Sequence, residues 1–353
     1  MSAIAVSPLS YDQLRPVRVW LVLVAVVVAI MVLVGGATRL TDSGLSITEW
    51  APIRGAIPPL SVADWMIEFE KYKTTTEFQT INSSMTLDQF KFIYWWEWGH
   101  RFLGRLIGLL FALPLVFFWW TGRLTPWLKP RLLLLLALGG LQGAIGWWMV
   151  KSGLVNRVDV SQIRLAVHLT LACVIFAYTI WVLRSLTRHD GYPAFGFGRQ
   201  SAVIVFLVLA QIFLGGLVAG LDAGMAYNTW PSMNGELLPS AALAIEPIWR
   251  NFVDNAAMVQ FLHRICAYLI VIAVLVHAFL ITQSNPETSH SRRAIFLVAL
   301  VSVQAVLGIA TLVMQVPMNW ALIHQLGALV VLAFAIAHWR AFSMGDDNQT
   351  AIA

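Results

Sequence analysis

Charge is what this sequence has least of: 12% of its 353 residues are Asp, Glu, Lys or Arg, against 59% hydrophobic. With a mean hydropathy of +0.74, it would leave a water-soluble domain with more apolar surface than one core can bury. Cysteine is nearly absent as well. Cys173 and Cys266 both fall inside apolar runs, which argues against a disulfide framework and for two small packing residues. No small-residue cleavage site follows the first apolar stretch, so it reads as an anchor and not a removed signal. The segment before it is too short and too poor in arginine for an organelle transit peptide. The net charge of +5 needs no nucleic-acid partner, because the lysines and arginines flank the apolar segments.

What the chain does have is span-length apolar runs: Val19–Thr38, Leu132–Val150, Leu165–Leu183, Ser201–Leu221, Ile265–Gln283, Ala294–Pro317 and Trp320–Trp339. An eighth, Leu106–Gly122, is long enough if its helix begins near Trp96. Trp95-Trp96, Trp119-Trp120 and Trp147-Trp148 sit where interfacial aromatic belts belong. Basic residues concentrate in short connections: Arg123, Lys129 and Arg131, then Arg184, Arg188 and Arg199, then Arg292 and Arg293. The density places those connections and both termini in the cytoplasm and the long segments outside, in a bacterial inner membrane.

The chain repeats itself. "GGATRLTDSGLSITEWAPIRGAIPP" from Gly35 aligns without a gap to "GGLVAGLDAGMAYNTWPSMNGELLP" from Gly215. Gly35, Gly36, Asp42, Gly44, Trp50, Gly55 and Pro59 recur 180 residues later. His100-Arg101 recurs as His263-Arg264, Gln142 and Gly146 as Gln304 and Gly308, and His168 as His324. The fold class that follows is an all-α polytopic membrane protein: eight transmembrane helices as two pseudo-symmetric four-helix bundles, a parallel repeat. Its parts are a cytoplasmic N-terminus (1–18), a first bundle (19–185) with a long outer loop (39–94), a second bundle (200–340) and a cytoplasmic tail (341–353).

Histidine carries the chemistry. His100, His168, His263 and His324 pair through the repeat and fall at one depth near the outer face. His189, His277, His290 and His338 have no such partners and read as loop or packing residues. Two imidazoles per bundle, on different helices at equal depth, can clamp one iron from both axial sides. Zinc or copper more often requires three or four ligands. Gly104, Ala172, Ala267 and Ala328 each stand four residues after a paired histidine, on the same helix face, where a porphyrin edge needs clearance. Haem propionates call for cations. Arg101 and Arg264 follow their histidines directly, with Arg105, Arg164 and Arg39 nearby.

The halves differ at Glu97, whose equivalent is Gln260. A carboxylate three residues before His100 can serve as a general base beside one haem; it can equally be an ion-pair partner of Arg101 or Arg105. The asymmetry assigns chemistry to the first half and a resident haem to the second.

The chain resembles the haem A synthase family on "EWGHRFLGRLIG", "GGATRLTDSGLSITEW", "QGAIGWWMVKSGL", "HLTLA", "NTWPSMNG", "QFLHRICAY" and "IHQLGALV", from about Arg18 to Arg340. The resemblance implies haem B held by His263 and His324, and the substrate haem O flanked by His100 and His168. It makes Glu97 catalytically important. The implied reaction oxidises a methyl group of haem O to a formyl group by successive hydroxylations with water-derived oxygen, giving haem A for cytochrome oxidase. The implied partners are membrane lipid, haem O synthase, cytochrome oxidase assembly factors and further copies of the chain. Lacking cysteines in the outer loops, the sequence resembles the cysteine-free branch found in proteobacteria and mitochondria. A dihaem b-type electron-transfer cytochrome and a haem carrier are the competing classes.

Overall fold

The computed structural model describes residues 12–187, 197–284, 286 and 288–342. Eight of its helices are long and apolar enough to cross a membrane. They are α1 (Arg15–Leu40), α4 (Leu87–Trp120), α5 (Leu128–Val150), α6 (Gln162–Ser185), α7 (Phe197–Gly220), α9 (Ala256–Ser284), α10 (Ser289–Val313) and α11 (Met318–Phe342). The shorter α2 (Val62–Lys73), α3 (Thr76–Thr80) and α8 (Asn251–Asp254) lie in connections. All eight expected spans are present. The expected tail and most of the expected N-terminal segment lie outside the described residues, as do Arg188 and His189.

α1 shows why these segments need lipid. Trp20, Leu21, Val24, Val28 and Val32 are buried against the protein, whereas Val19, Val22, Leu23, Val26 and Ile30 face outward. A helix of a soluble protein would carry polar residues on that second stripe.

The run "MTLDQFKFIYWWEW" behaves differently from the surface-lying amphipathic helix its pattern implies. Thr86 and Gln89 form a capping box that starts α4 there, and the helix continues unbroken to Trp120. At 1.5 Å per residue its 34 residues cover about 51 Å, well beyond the roughly 30 Å of hydrocarbon. The first turns therefore project past the bilayer. Phe90, Ile93 and Tyr94 bury themselves there against Trp65, Phe69 and Tyr72 of α2. The amphipathic element is α2 itself, opened by a capping box at Ser61 and Asp64.

Within the first half α1, α4, α5 and α6 each touch the next and close a ring; α7, α9, α10 and α11 do the same. α6 against α7 and α11, and α1 against α11, join the two. Glycine permits the closest of these crossings: a Cβ on Gly216 or Gly220 of α7 would lie 2.7 Å from the Cα of Ala166 or Gln162 on α6. Arg39 links the halves at the loop-bearing end, donating to Asp42 (2.8 Å) and Asp222 (2.7 Å). These two aspartates are repeat mates and both adopt φ of 48°, the left-handed region that Asp tolerates better than most residues. Cys173 and Cys266 are free and buried.

Glu77, beneath α2, is 5% exposed and accepts a hydrogen bond from Tyr72 Oη at 3.1 Å. Burial, with smaller contributions from Asp159, Glu97 and Asp42, pushes its carboxyl up to about 8 from 4.5. The folded protein therefore holds a proton that the unfolded chain has released over this window. Stability is expected to fall as pH rises from about 5 to about 8 and then level off. Thermal unfolding of the solubilised protein across that range checks this, and Glu77→Gln should flatten the decline.

Candidate haem sites

His100 lies in the fourth turn of α4, while His168, His263 and His324 stand within the first eight residues of α6, α9 and α11. Because α4 begins outside the bilayer, all four come to the loop-bearing end. His168 is the histidine whose field reaches His100, and His324 the one whose field reaches His263. The four predicted ligands are thus brought together two by two, one pair in each half.

Each ring lies against bare backbone of a neighbouring helix. A Cβ on Gly35 of α1 would sit 2.9 Å from His100 Cε1, and one on Gly146 of α5 2.9 Å from His168 Cε1. In the second half a Cβ on Gly215 of α7 would sit 3.3 Å from His263 Cε1, and one on Gly308 of α10 2.8 Å from His324 Cε1. The repeat alignment had marked all four glycines; their role required the packing. The small residues four positions after each histidine are a weaker feature, with Gly104 facing the methyl of Met31 at 3.3 Å.

One turn before three of these glycines stands a glutamine that engages the same imidazole. Gln142 donates to the His168 carbonyl at 3.0 Å and lies 3.1 Å from Nδ1. Gln304 does the same to His324, at 2.8 and 3.1 Å. Gln211 reaches His263 Nε2 at 3.1 Å. The fourth position, one turn before Gly35, is Met31. Among the described residues His100 accordingly has no hydrogen-bond partner, and its Nδ1 is buried without one.

These features fit a haem. All four histidines are partly buried between helices. Polar atoms of the predicted ligands and of their neighbouring arginines lack partners: Nδ1 of His100 and of His263, Nη1 of Arg105 and Nε of Arg264 are buried without one. A bound ligand is one way such atoms are satisfied. His263 and His324 would hold one porphyrin iron, His100 and His168 the other.

Glu97 is 3% exposed and fully bonded. Its Oε2 accepts from Ser46 Oγ and the Ile47 amide, both at 2.8 Å, and Oε1 accepts from Arg101 Nη2 at 2.6 Å and Nε at 3.1 Å. Glu97 therefore forms the ion pair with Arg101 that the sequence offered beside the role of a base. Arg101 also donates to the Ile47 and Glu49 carbonyls, and Arg105 to those of Ala51 and Pro52. Together they fasten the segment after α1 onto α4, with Trp50 stacked on Trp147.

The second half repeats the arrangement. Gln260 donates to the Ala223 carbonyl at 2.7 Å and receives Arg264 Nη2 at 3.0 Å. Arg264 also reaches the carbonyl of Tyr227, the repeat mate of Ile47. The difference is charge: Arg101 is neutralised by Glu97, whereas no ion pair forms at the buried Arg264 among the described residues.

Among the described residues the unpaired histidines His277, His290 and His338 are buried and behave as packing residues. His277 Nε2 and His338 Nε2 share a hydrogen bond of 3.0 Å between α9 and α11, with Gln200 on the far side of His277. His290 stacks on Phe342. Arg39, an early candidate for a propionate, is held between two aspartates.

Eight spanning helices, with a repeat-related pair of histidines in each half, define a multi-pass membrane protein. Residues 18–336 match the family model described as cytochrome oxidase assembly protein, and the chain belongs to that family. It is 57% identical to the heme A synthase of Chelativorans sp. (strain BNC1), over 95% of this chain and 94% of the relative. Against the heme A synthase of Sinorhizobium medicae (strain WSM419) the identity is 54%, over 96% and 93%. For that of Brucella anthropi it is 55%, over 93% and 92%.

Gly308→Ala is expected to push the His324 ring off its position and lower the haem bound per polypeptide severalfold. Gly139→Ala, whose Cβ would meet nothing within 4 Å, should leave it unchanged. Absorbance of the purified proteins reads both.

Proposed function

We propose that this chain is a haem A synthase. It oxidises a methyl group of haem O to a formyl group by successive hydroxylations in a bacterial inner membrane. The observation that carries this reading is the two-by-two placement of His100 with His168 and His263 with His324 on one scaffold, with unequal surroundings. Termini in the cytoplasm and both haem sites near the periplasmic face follow from the basic connections.

The second half has the marks of a permanent site. Both of its histidines are held by glutamines, and Arg264 offers a positive charge without a carboxylate to cancel it, suited to a propionate. A haem b bound there supplies one-electron redox chemistry. The first half suits a porphyrin that must leave again. His168 is fixed by Gln142, but His100 is steadied only by packing against Gly35, which leaves it the more readily released ligand.

Conversion of CH₃ and water to CHO releases four protons and four electrons, so the first half must also admit water and export protons, and an external electron acceptor must take up the four electrons. Glu97 contributes by position: it ties Ser46 and Ile47 to α4 beside His100 and holds Arg101 in place. Breaking such a buried pair by removing one partner costs about 3–5 kcal/mol, against about 0–1 kcal/mol for an exposed pair such as Lys91–Asp88.

Expression with haem O available, followed by pigment extraction, should yield the formyl-bearing product. His100→Ala and His168→Ala should each abolish it while the resident haem spectrum persists, and His263→Ala or His324→Ala should remove that spectrum. A haem spectrum without any formyl product from the unaltered chain would favour an electron-transfer cytochrome.

Glu97 admits a sharper test. Because Gln260 performs the same anchoring with an amide, Glu97→Gln should keep a substantial part of the product yield and Glu97→Ala little. Equal loss in both variants would identify a base.

A further inference from the structure

Three cations, among them the Arg164 that the sequence offered as a propionate partner, gather at the start of α6, the helix that bears His168. Lys151, Arg157 and Arg164, with Trp148, Ser152 and Ser161, line an open cleft of about 490 Å³ at the loop-bearing end of the first half. Arg164 lies over the Trp148 ring at 4.5 Å and donates to the Trp148 carbonyl at 2.7 Å. Arg157 donates to Gln162 Oε1 at 3.2 Å and to the Asp159 carbonyl at 3.3 Å. None of the three forms an ion pair among the described residues, and no carboxylate lines the cleft.

The cleft stands where a ligand of His168 would enter. Arg164 precedes His168 by four residues and shares its helix face, about 6 Å nearer the end of α6. Trp148 and Lys151 follow Gly146, the residue on which the His168 ring rests. The repeat has nothing like it: Arg164, Trp148 and Lys151 correspond to Trp320, Ala310 and Val313. Arg157 has no counterpart, because the connection between α10 and α11 is only residues 314–317, against 151–161 between α5 and α6. One scaffold holds two haem sites, and the positive mouth belongs solely to the half whose porphyrin must exchange.

We infer that this cleft docks the paired carboxylates of the incoming porphyrin before the ring slides between His100 and His168. The inference rests on the first half being the substrate half. Two carboxylates meeting three unneutralised cations at a membrane surface gain from charge-assisted hydrogen bonds and from steering. Inside the bundle Arg101 is already neutralised by Glu97, which leaves Arg105 as the nearer cation once the ring is seated. A lipid phosphate could satisfy the same cations, so the test separates the two anions.

The full chain with its resident haem, in nanodiscs of phosphatidylcholine, is mixed with zinc protoporphyrin IX and, separately, with its dimethyl ester. The fluorescence of the zinc porphyrin reports association. K151Q/R157Q/R164Q should slow association of the diacid about tenfold at low ionic strength, leave the ester unaffected and leave the resident haem spectrum intact. K151Q/R157Q, confined to two exposed positions, should give a smaller loss of the same kind and guards against misfolding at Arg164. Lys91→Gln should change nothing. Equal rates for diacid and ester in every variant would overturn the inference. So would a diacid effect that appears only when phosphatidylglycerol is present, since the cleft would then hold lipid. If formyl product is made and the cleft variants bind diacid normally, the docking idea fails alone. If diacid binding depends on the cleft and no product forms, the enzymatic reading fails and the dock stands.

Discussion

Four times in this protein an imidazole packs closely against the bare backbone of a glycine on a neighbouring helix, and the arrangement of the helices accommodates those approaches. A histidine inside a membrane must find polar company or a ligand, since lipid offers neither. Glycine on the facing helix brings the backbone close enough to fix the ring without filling the space beside it. Any larger residue would occupy the region where a macrocycle must lie. The pairs α1–α4, α5–α6, α7–α9 and α10–α11 are set by this contact, and the two closed rings of helices follow from it.

On this shared frame the halves are distinguished by charge and hydrogen bonding, not by shape. The loop after the first helix of each half is tied to the histidine-bearing helix by the same geometry, Glu97 with Arg101 in one and Gln260 with Arg264 in the other. Exchanging a carboxylate for an amide preserves the tether and alters the balance by one charge, so Arg264 retains a positive charge for a bound anion. Exchanging Gln211 for Met31 removes a hydrogen bond from one imidazole of four. Lengthening one connection adds a cationic cleft. Each change alters charge or hydrogen bonding in one half, and none disturbs the helix packing that the two halves share.

The loop-bearing end is also where the protein departs from its own repeat. The projecting turns of α4 and the capped α2 build a small aromatic core outside the bilayer. That core buries Glu77 a short distance from the Glu97 anchor. A rigid platform there is what an ordered entrance requires, because loops tethered at only their ends would leave Ile47 to Pro52 free to fill the gap beside His100.

Composition and run length by themselves determined that this chain crosses a membrane eight times, because only helices satisfy every backbone group in hydrocarbon. The repeat determined which four of the eight histidines have partners in the other half, since its matching positions can be counted along the chain. Three things waited for tertiary structure. The bonding state of Glu97 depends on Ser46 and Ile47, some 50 residues away in the chain, which no local spacing reveals. The glycine beneath each ring belongs to a different helix, so the alignment could mark it without explaining it. The convergence of Lys151, Arg157 and Arg164 arises from a turn whose path is set by packing between α5 and α6, a contact decided by the whole fold.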